Sequence, residues 1–425
     1  MKSFKLCALS GTAALLLSCF LLSPELQAQA PGFCEFTQLT DASSSDAVGV
    51  VRPHLGNRIA GVHTIRTLPP FGNSQWQVYF FDTATKTYTH ATEVPIFGPG
   101  QNDLSSDDST LAYDAQSEVL PGGNPEFNLE IFLQDVASGQ VIQVTETTDG
   151  INTAPAVTGD GSRVAFLSNN DLVPGNNTDG NFEVFVYDAG PATLTQATDT
   201  LGVDHRTVAI SDDGSRLAVV SVAPTQELQL IAFPSLVVTP VASALIDFHI
   251  ASLDGSGNQV AFVTAEDLLP GQNADGNKEV FLFDIDSGLR QLTDTHSGQS
   301  TFPSFSANGQ RIAFVTSSEL APPQSSGSQI VVADLENGTF HTVTNSDGFS
   351  YFPSLSADGQ QVVFQSTADL VGENPDGLEI FLAQCTFPLG PVVTVPTLRS
   401  TGFAVLVILL ATAATWRLRR ERFSS

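Results

Sequence analysis

One pattern recurs seven times along this chain of 425 residues and limits what it can fold into more than any other feature. Ser306-Ala307-Asn308-Gly309-Gln310-Arg311-Ile312-Ala313-Phe314 returns as Ser356-Ala357-Asp358-Gly359-Gln360-Gln361-Val362-Val363-Phe364. It returns again from Gly159 to Phe166 and from Ser211 to Val219, with looser copies at Gly255–Phe262, Ser106–Tyr113 and Gly56–Ala60. The first apolar residue after each turn falls at 59, 111, 164, 217, 260, 312 and 362, so the spacings are 52, 53, 53, 43, 52 and 50. A period of that size marks one supersecondary unit stacked on its neighbours, not a string of independent domains.

Each unit reads as four short strands. Asp-Gly or Asn-Gly between apolar runs demands positive φ and signals a hairpin. In one unit, Phe302–Ser306 and Arg311–Thr316 form the first hairpin. A third strand of the type Glu279-Val280-Phe281-Leu282-Phe283-Asp284 and a fourth of the type Leu289-Arg290-Gln291-Leu292-Thr293 complete the set. Third strands are apolar on successive positions, as for strands covered on both faces. The reading is all-β: a seven-bladed β-propeller of four-stranded antiparallel blades spanning residues 31–388. The turn-plus-strand pattern and the closing phrase Gln-Leu-Thr resemble the TolB-like family of propeller repeats across residues 36–385. That resemblance implies a fold strongly and a function weakly.

The last unit stops one strand short, and Phe36-Thr37-Gln38-Leu39-Thr40-Asp41 matches the missing strand in pattern. The N-terminal strand is therefore expected to complete the last blade. In the repeat register Cys385 matches Ile285 and Cys34 matches Ser287, the places joined by a hairpin turn in intact blades. A Cys34–Cys385 disulfide would stand in for that turn, at roughly 4–5 kcal/mol by loop entropy. Two unpaired thiols are the alternative.

The two ends read as addresses. Lys2 and Lys5 precede an apolar run from Leu6 to Leu22, and Ala28-Gln29-Ala30 offers a small-x-small cleavage site, so residues 1–30 are expected to be a signal peptide. At the other end come a linker and sorting motif (389–399), an uncharged stretch (400–416) long enough at the lower limit to cross a bilayer as one transmembrane helix, and a basic tail (417–425). The positive-inside bias keeps that tail cytoplasmic. Val395-Pro396-Thr397-Leu398, the apolar span and the Arg cluster resemble the IPTL-CTERM sorting signal. The resemblance implies an exosortase-like membrane protease as partner and retention in the envelope or at the cell surface.

Charge narrows the partners further. Of 17 basic residues seven lie in the terminal segments, and of 45 acidic residues two, so the part between carries a charge of −33. Nucleic acid is excluded as partner, because its binding rests on Lys and Arg against phosphate. Four units carry a polar loop before the third strand: Pro121–Glu130, Pro174–Glu183, Pro270–Glu279 and Gly372–Glu379. Asn177, Asp179, Asn181 and Glu183, with Asn273, Asp275, Asn277 and Glu279, supply oxygen ligands around a glycine, the raw material of a calcium loop. Asn, Asp and Gly also dominate ordinary tight turns. No other cofactor is indicated. His54, His205 and His249 fall near the start of inner strands, but in different registers and without a paired-His motif. No nucleophile elbow occurs. No catalytic residue is assigned. The expected role is non-catalytic binding of a protein or glycan at the channel mouth. The alternatives are an envelope polysaccharide hydrolase or lyase that uses the channel, and a purely structural surface component.

Overall fold

A computed structural model describes residues 34–39, 58–65, 75–82, 85, 87–90, 101–222, 226–244, 251–318, 320, 327–372 and 377–387. Among them every regular element is a strand. Six four-stranded antiparallel sheets, labelled blades I to VI, follow one another along the chain. Blade I holds Asn102–Leu104, Thr110–Ala115, Glu130–Asp135 and Val141–Gln143. Blade II holds Asn152–Val157, Arg163–Ser168, Glu183–Asp188 and Thr193–Gln196. Blade III holds His205–Ile210, Arg216–Ser221, Glu227–Ala232 and Val237–Ser243. Blade IV holds Ser252–Leu253, Gln259–Thr264, Glu279–Asp284 and Gly288–Gln291. Blade V holds Ser300–Phe305, Arg311–Thr316, Gln329–Asp334 and Thr339–Thr342. Blade VI holds Ser350–Leu355, Gln361–Ser366, Glu379–Cys385 and, as its outer strand, Cys34–Gln38.

The first sequence unit forms a three-stranded sheet instead, from Arg58–Ile65, Gln75–Asp82 and Thr87–His90. The expectation of seven four-stranded blades is thereby corrected to six. The hairpin turns of the four-stranded blades are held by side-chain bonds. In blade V, Ser306 Oγ donates to Asn308 Oδ1 at 2.7 Å, which in turn accepts Gln310 N at 3.0 Å, while Arg311 N donates back to Ser306 Oγ at 3.0 Å. This local network holds Gly309 at φ 69° and starts the second strand. In the first unit the sequence has Pro53 and Leu55 at the positions of Ser306 and Asn308, and residues 53–57 lie outside the described residues. The transmembrane helix expected at 400–416 lies outside the described residues, as do the signal peptide, its Ala28 and Ala30, the linker, Val395, Pro396, Thr397 and Leu398, and the basic tail. Among the described residues no helix is long and apolar enough to cross a membrane.

Second and third strands make the blade interiors. Tyr113 faces Phe132, Phe166 faces Phe185, Phe262 faces Phe281 and Phe364 faces Phe381 across the ladder. Each pair is buried with ring centroids 5.5–6.0 Å apart. The apolar layers lie between neighbouring blades: Ala313, Val315 and Ile330 of blade V pack with Leu355, Val362 and Phe364 of blade VI in one cluster. Ala165 and Val184 of blade II share another with Val208 and Leu217 of blade III. A single blade is one sheet layer that cannot bury its apolar faces alone, so neighbours are obligatory.

Cys34 pairs with Cys385 in the ladder and the two form a disulfide, with Cα atoms 4.0 Å apart and a sequence separation of 351. The pairing runs on through Gln38 opposite Phe381, and Leu39 N donates to Ile380 O at 2.8 Å. The bond takes the place of the third-to-fourth-strand turn and ties the two ends of the array. Replacing both cysteines by serine is expected to lower stability by up to about 5 kcal/mol. Urea unfolding of the full-length variant against wild type, both kept oxidised, measures it.

Candidate functional site

The first strands of the six blades face one another around a central cavity of about 680 Å³. At the end formed by the hairpin turns, Ser106, Gly159, Asp212, Gly255, Ala307 and Ala357 occupy equivalent positions. Backbone bonds run from turn to turn: Asp107 N to Gly159 O, Gly159 N to Asp212 O, Gly255 N to Ala307 O and Asn308 N to Ala357 O, at 2.9–3.1 Å. Ser106 Oγ reaches past blade II to the Asp212 carboxylate at 3.1 Å. Gly255 leaves no room for a side chain, since a Cβ there would stand 2.6 Å from Ala307 O.

The opposite end is built by a feature shared by three blades. Ala154, Phe302 and Phe352 adopt φ of 55°, 54° and 50°, each followed by proline, and the first strands bulge there. Positive φ in a non-glycine residue costs about 1–3 kcal/mol. A bulge re-aims side chains and leaves backbone groups out of the ladder. Beyond each bulge the inner edge of the first strand is tied to the preceding blade: Val157 N donates to Asp103 Oδ2 at 2.8 Å, Phe305 N to Ser252 Oγ at 3.0 Å and Leu355 N to Ser304 Oγ at 3.2 Å. Phe302 and Phe352 meet edge-on with ring centroids 4.6 Å apart and line the cavity beside Pro303 and Pro353.

The carboxylates of the lining are engaged. Besides Asp103 and Asp212, Asp204 accepts Phe182 N at 2.9 Å, and Asp254 accepts Gln259 N at 2.9 Å and Ser256 Oγ at 2.6 Å. Asp114 lies behind the rim and accepts Gln101 N at 2.7 Å, Thr153 Oγ1 at 2.6 Å and Ala154 N at 3.4 Å, so it anchors the strained Ala154. Burial pushes its carboxyl up to about 6 against the pull of those three donors. The folded state therefore holds the proton more tightly than the unfolded chain, and stability falls as pH rises from about 4 through 6. Asp114→Asn is expected to flatten that part of the profile, a difference of about 3 kcal/mol at most. Unfolding midpoints of the two proteins between pH 4 and 8 test it.

The glutamates read as calcium ligands serve another purpose. Glu183 is buried and accepts Thr198 Oγ1, Thr200 N at 2.6 Å, Thr200 Oγ1 at 2.6 Å and Asn181 Nδ2 at 2.8 Å. His205, opening the next blade, brings Nδ1 to 3.3 Å from Glu183 and 3.0 Å from Phe182 O. Glu279 accepts Thr293 Oγ1, Thr295 N at 2.7 Å and Thr295 Oγ1. In blade I, Glu130 accepts Thr147 N at 2.8 Å and Asn152 Nδ2 of the next blade at 3.1 Å. Of the remaining loop residues, Asp179 accepts Gly202 N at 2.7 Å, Asn177 Nδ2 donates to Asn181 O at 2.9 Å and Asn273 Nδ2 to Asn277 O at 3.0 Å. Asp275 is exposed. His54 and His249 lie outside the described residues. Among the described residues no group of three His, Cys, Asp or Glu could hold a metal ion.

Burial pushes the Glu183 carboxyl up, but donation from His205, Thr198 and Thr200 outweighs it and holds the group down at about 2. Its contribution is present above the unfolded value of about 4.5 and is lost as pH falls toward 2. Glu183→Ala leaves buried donors unpaired and is expected to cost about 3 kcal/mol at neutral pH. The loss is expected to shrink in acid, as read by denaturant unfolding at pH 7 and pH 3.

Sequence reasoning missed the Phe-Pro bulges and the Thr-x-Thr partners of the glutamates. Both left a trace: Ser-x-Phe-Pro-Ser stands at 300–304 and 350–354, and Thr-x-Thr at 145–147, 198–200 and 293–295.

Solved structures share the architecture. An oligogalacturonate lyase in complex with manganese matches with a TM-score of 0.57 at 15% identity, over 83% of this chain and 93% of that one. The β-propeller domain of the Trilobed protease from Pyrococcus furiosus, which has an open velcro topology, matches with 0.56 at 9% identity, over 81% and 99%. TolB from Acinetobacter baumannii matches with 0.41 at 16% identity, over 77% and 81%. At these identities the likeness extends to the β-propeller fold alone. No protein-family model matches the chain, and no curated protein matches it in sequence.

Proposed function

We propose that the protein is a non-catalytic binding module that takes a protein or glycan partner at the Phe302/Phe352 end of the cavity. One observation carries the reading. The carboxylates that line the cavity act as acceptors within the scaffold, while aromatic, proline and hydroxyl surface faces the space. Phe and Pro faces suit a sugar ring or an apolar side chain. Loops on the same face add exposed contact points, Leu201 at 89% and Phe349 at 50% exposure. Loops gathered on a rigid scaffold are the usual seat of recognition.

The address is part of the proposal. The N-terminal segment directs export, and the C-terminal segment, with its exosortase-like partner, retains the propeller in the envelope or at the cell surface. Both rest on the sequence pattern of the two ends.

Capture from envelope extracts by detergent-solubilised full-length protein tests the binding role. Wild type is expected to retain a partner that the Phe302→Ala/Phe352→Ala variant loses at least tenfold, a difference of about 1.4 kcal/mol, with the variant still folded by circular dichroism. Equal capture by both proteins overturns the assignment of the site. Release of unsaturated sugar ends from a polyuronate by the wild type would place the protein among lyases instead.

A further inference from the structure

The loops before the third strands of blades I, II and IV hold an arrangement that turn formation does not account for. In blade II, Asn177 Nδ2 donates to Asn181 O at 2.9 Å. Asn181 Nδ2 donates to Thr200 O at 2.9 Å and Val203 O at 2.8 Å, and Gln196 Nε2 to Asn176 O at 3.4 Å. Every amide nitrogen is spent on the loop. The amide oxygens Asn177 Oδ1, Asn181 Oδ1 and Gln196 Oε1 are buried without a hydrogen-bond partner.

Blade IV repeats the pattern. Asn273 Nδ2 donates to Asn277 O at 3.0 Å, Asn277 Nδ2 to Thr295 Oγ1 at 2.9 Å and Gln291 Nε2 to Gln272 O at 3.3 Å. Asn273 Oδ1, Asn277 Oδ1 and Gln291 Oε1 are again buried and unpartnered. In blade I, Asn124 Nδ2 donates to Asn128 O at 2.8 Å, and both Asn124 Oδ1 and Asn128 Oδ1 are left over. Asn124, Asn177 and Asn273 are only 1–3% exposed.

Turns use the nitrogens, so the turn reading explains half of each amide. What remains is a set of acceptors at the same positions in three loops, with no donor provided. Buried acceptors call for a partner, and oxygen-only sets of Asn, Gln and backbone carbonyls are what hard cations take. Each loop also ends on a buried glutamate whose charge offsets a cation: Asn181 Nδ2 lies 2.8 Å from Glu183 and Asn128 Nδ2 lies 2.7 Å from Glu130.

We propose that each of these three loops binds one hard divalent cation, of the calcium class, through the amide oxygens of its two asparagines. In blades II and IV the glutamine from the fourth strand adds a third oxygen. The glutamates supply charge and not ligand atoms. Neutral ligands make the site weak, of the 10⁻⁴ to 10⁻³ M order seen in extracellular modules.

The test uses chelator-stripped full-length protein in detergent. Calcium chloride at millimolar concentration is expected to give binding heat, to raise the unfolding temperature above that in sodium chloride of equal ionic strength, and to leave up to three calcium ions per chain after equilibrium dialysis. Asn177→Asp and Asn273→Asp convert one neutral ligand to a charged one. They are expected to tighten calcium binding on the order of tenfold while lowering the unfolding temperature in chelator. Absence of calcium-dependent heat, shift and bound metal in the wild type overturns the proposal, whatever the variants do. Aspartate variants destabilised equally with and without calcium overturn it as well, and assign the oxygens to bridging water.

Discussion

The fold hangs on a carboxylate that never meets solvent. A glutamate opens the third strand of blades I, II and IV. Its oxygens gather the hydroxyls and backbone of a Thr-x-Thr pair that follows the fourth strand. The first threonine of each pair accepts the next backbone N–H of the third strand, as Thr198 does from Val184 and Thr293 from Val280, at 2.8 Å. In blades I and II the same carboxylate reaches Asn152 and His205, the residues that open the following blade. One buried charge thus links third strand, loop and neighbour, and it persists because its lone pairs are filled. Blade V carries Gln329 at this place and pairs it with the Ser346 carbonyl, a neutral form of the same latch.

The inner strands divide the labour differently. Their turn ends are drawn together by backbone bonds between small residues. Their opposite ends bulge at Ala154, Phe302 and Phe352 and spend backbone strain to turn aromatic and proline faces inward. The side chains that tie the inner edge past each bulge come from the preceding blade, so the shape of the cavity wall depends on the packing between blades. The binding role proposed for this end draws on that arrangement. A surface whose carboxylates are already committed to the scaffold recognises by shape and contact.

Much of the architecture was legible in the residues. The period of about fifty, the Asp-Gly and Asn-Gly turns and the apolar third strands identify a propeller of antiparallel blades. The repeat register sets Cys34 beside Cys385. The blade count was not legible, because the first unit keeps the spacing of the others while its described strands form a sheet of three. The site was less legible still. Phe302 and Phe352 read as strand residues, and only backbone geometry shows that both sit at positive φ. Glu183 and Glu279 looked like ligands by spacing, but the threonines that occupy them lie 14 to 17 residues further along the chain.

Taken alone, the sequence determined what is local: where turns fall, which strands are apolar on both faces, which residue types crowd the loops, and how many times the unit is written. Those properties follow from short-range sterics and solvation, which a linear pattern carries. Tertiary structure decided which polar atoms find partners. Whether an aspartate, an asparagine oxygen or a glutamate is free or committed depends on groups delivered by another strand or another blade, and on the water that packing removes from around them.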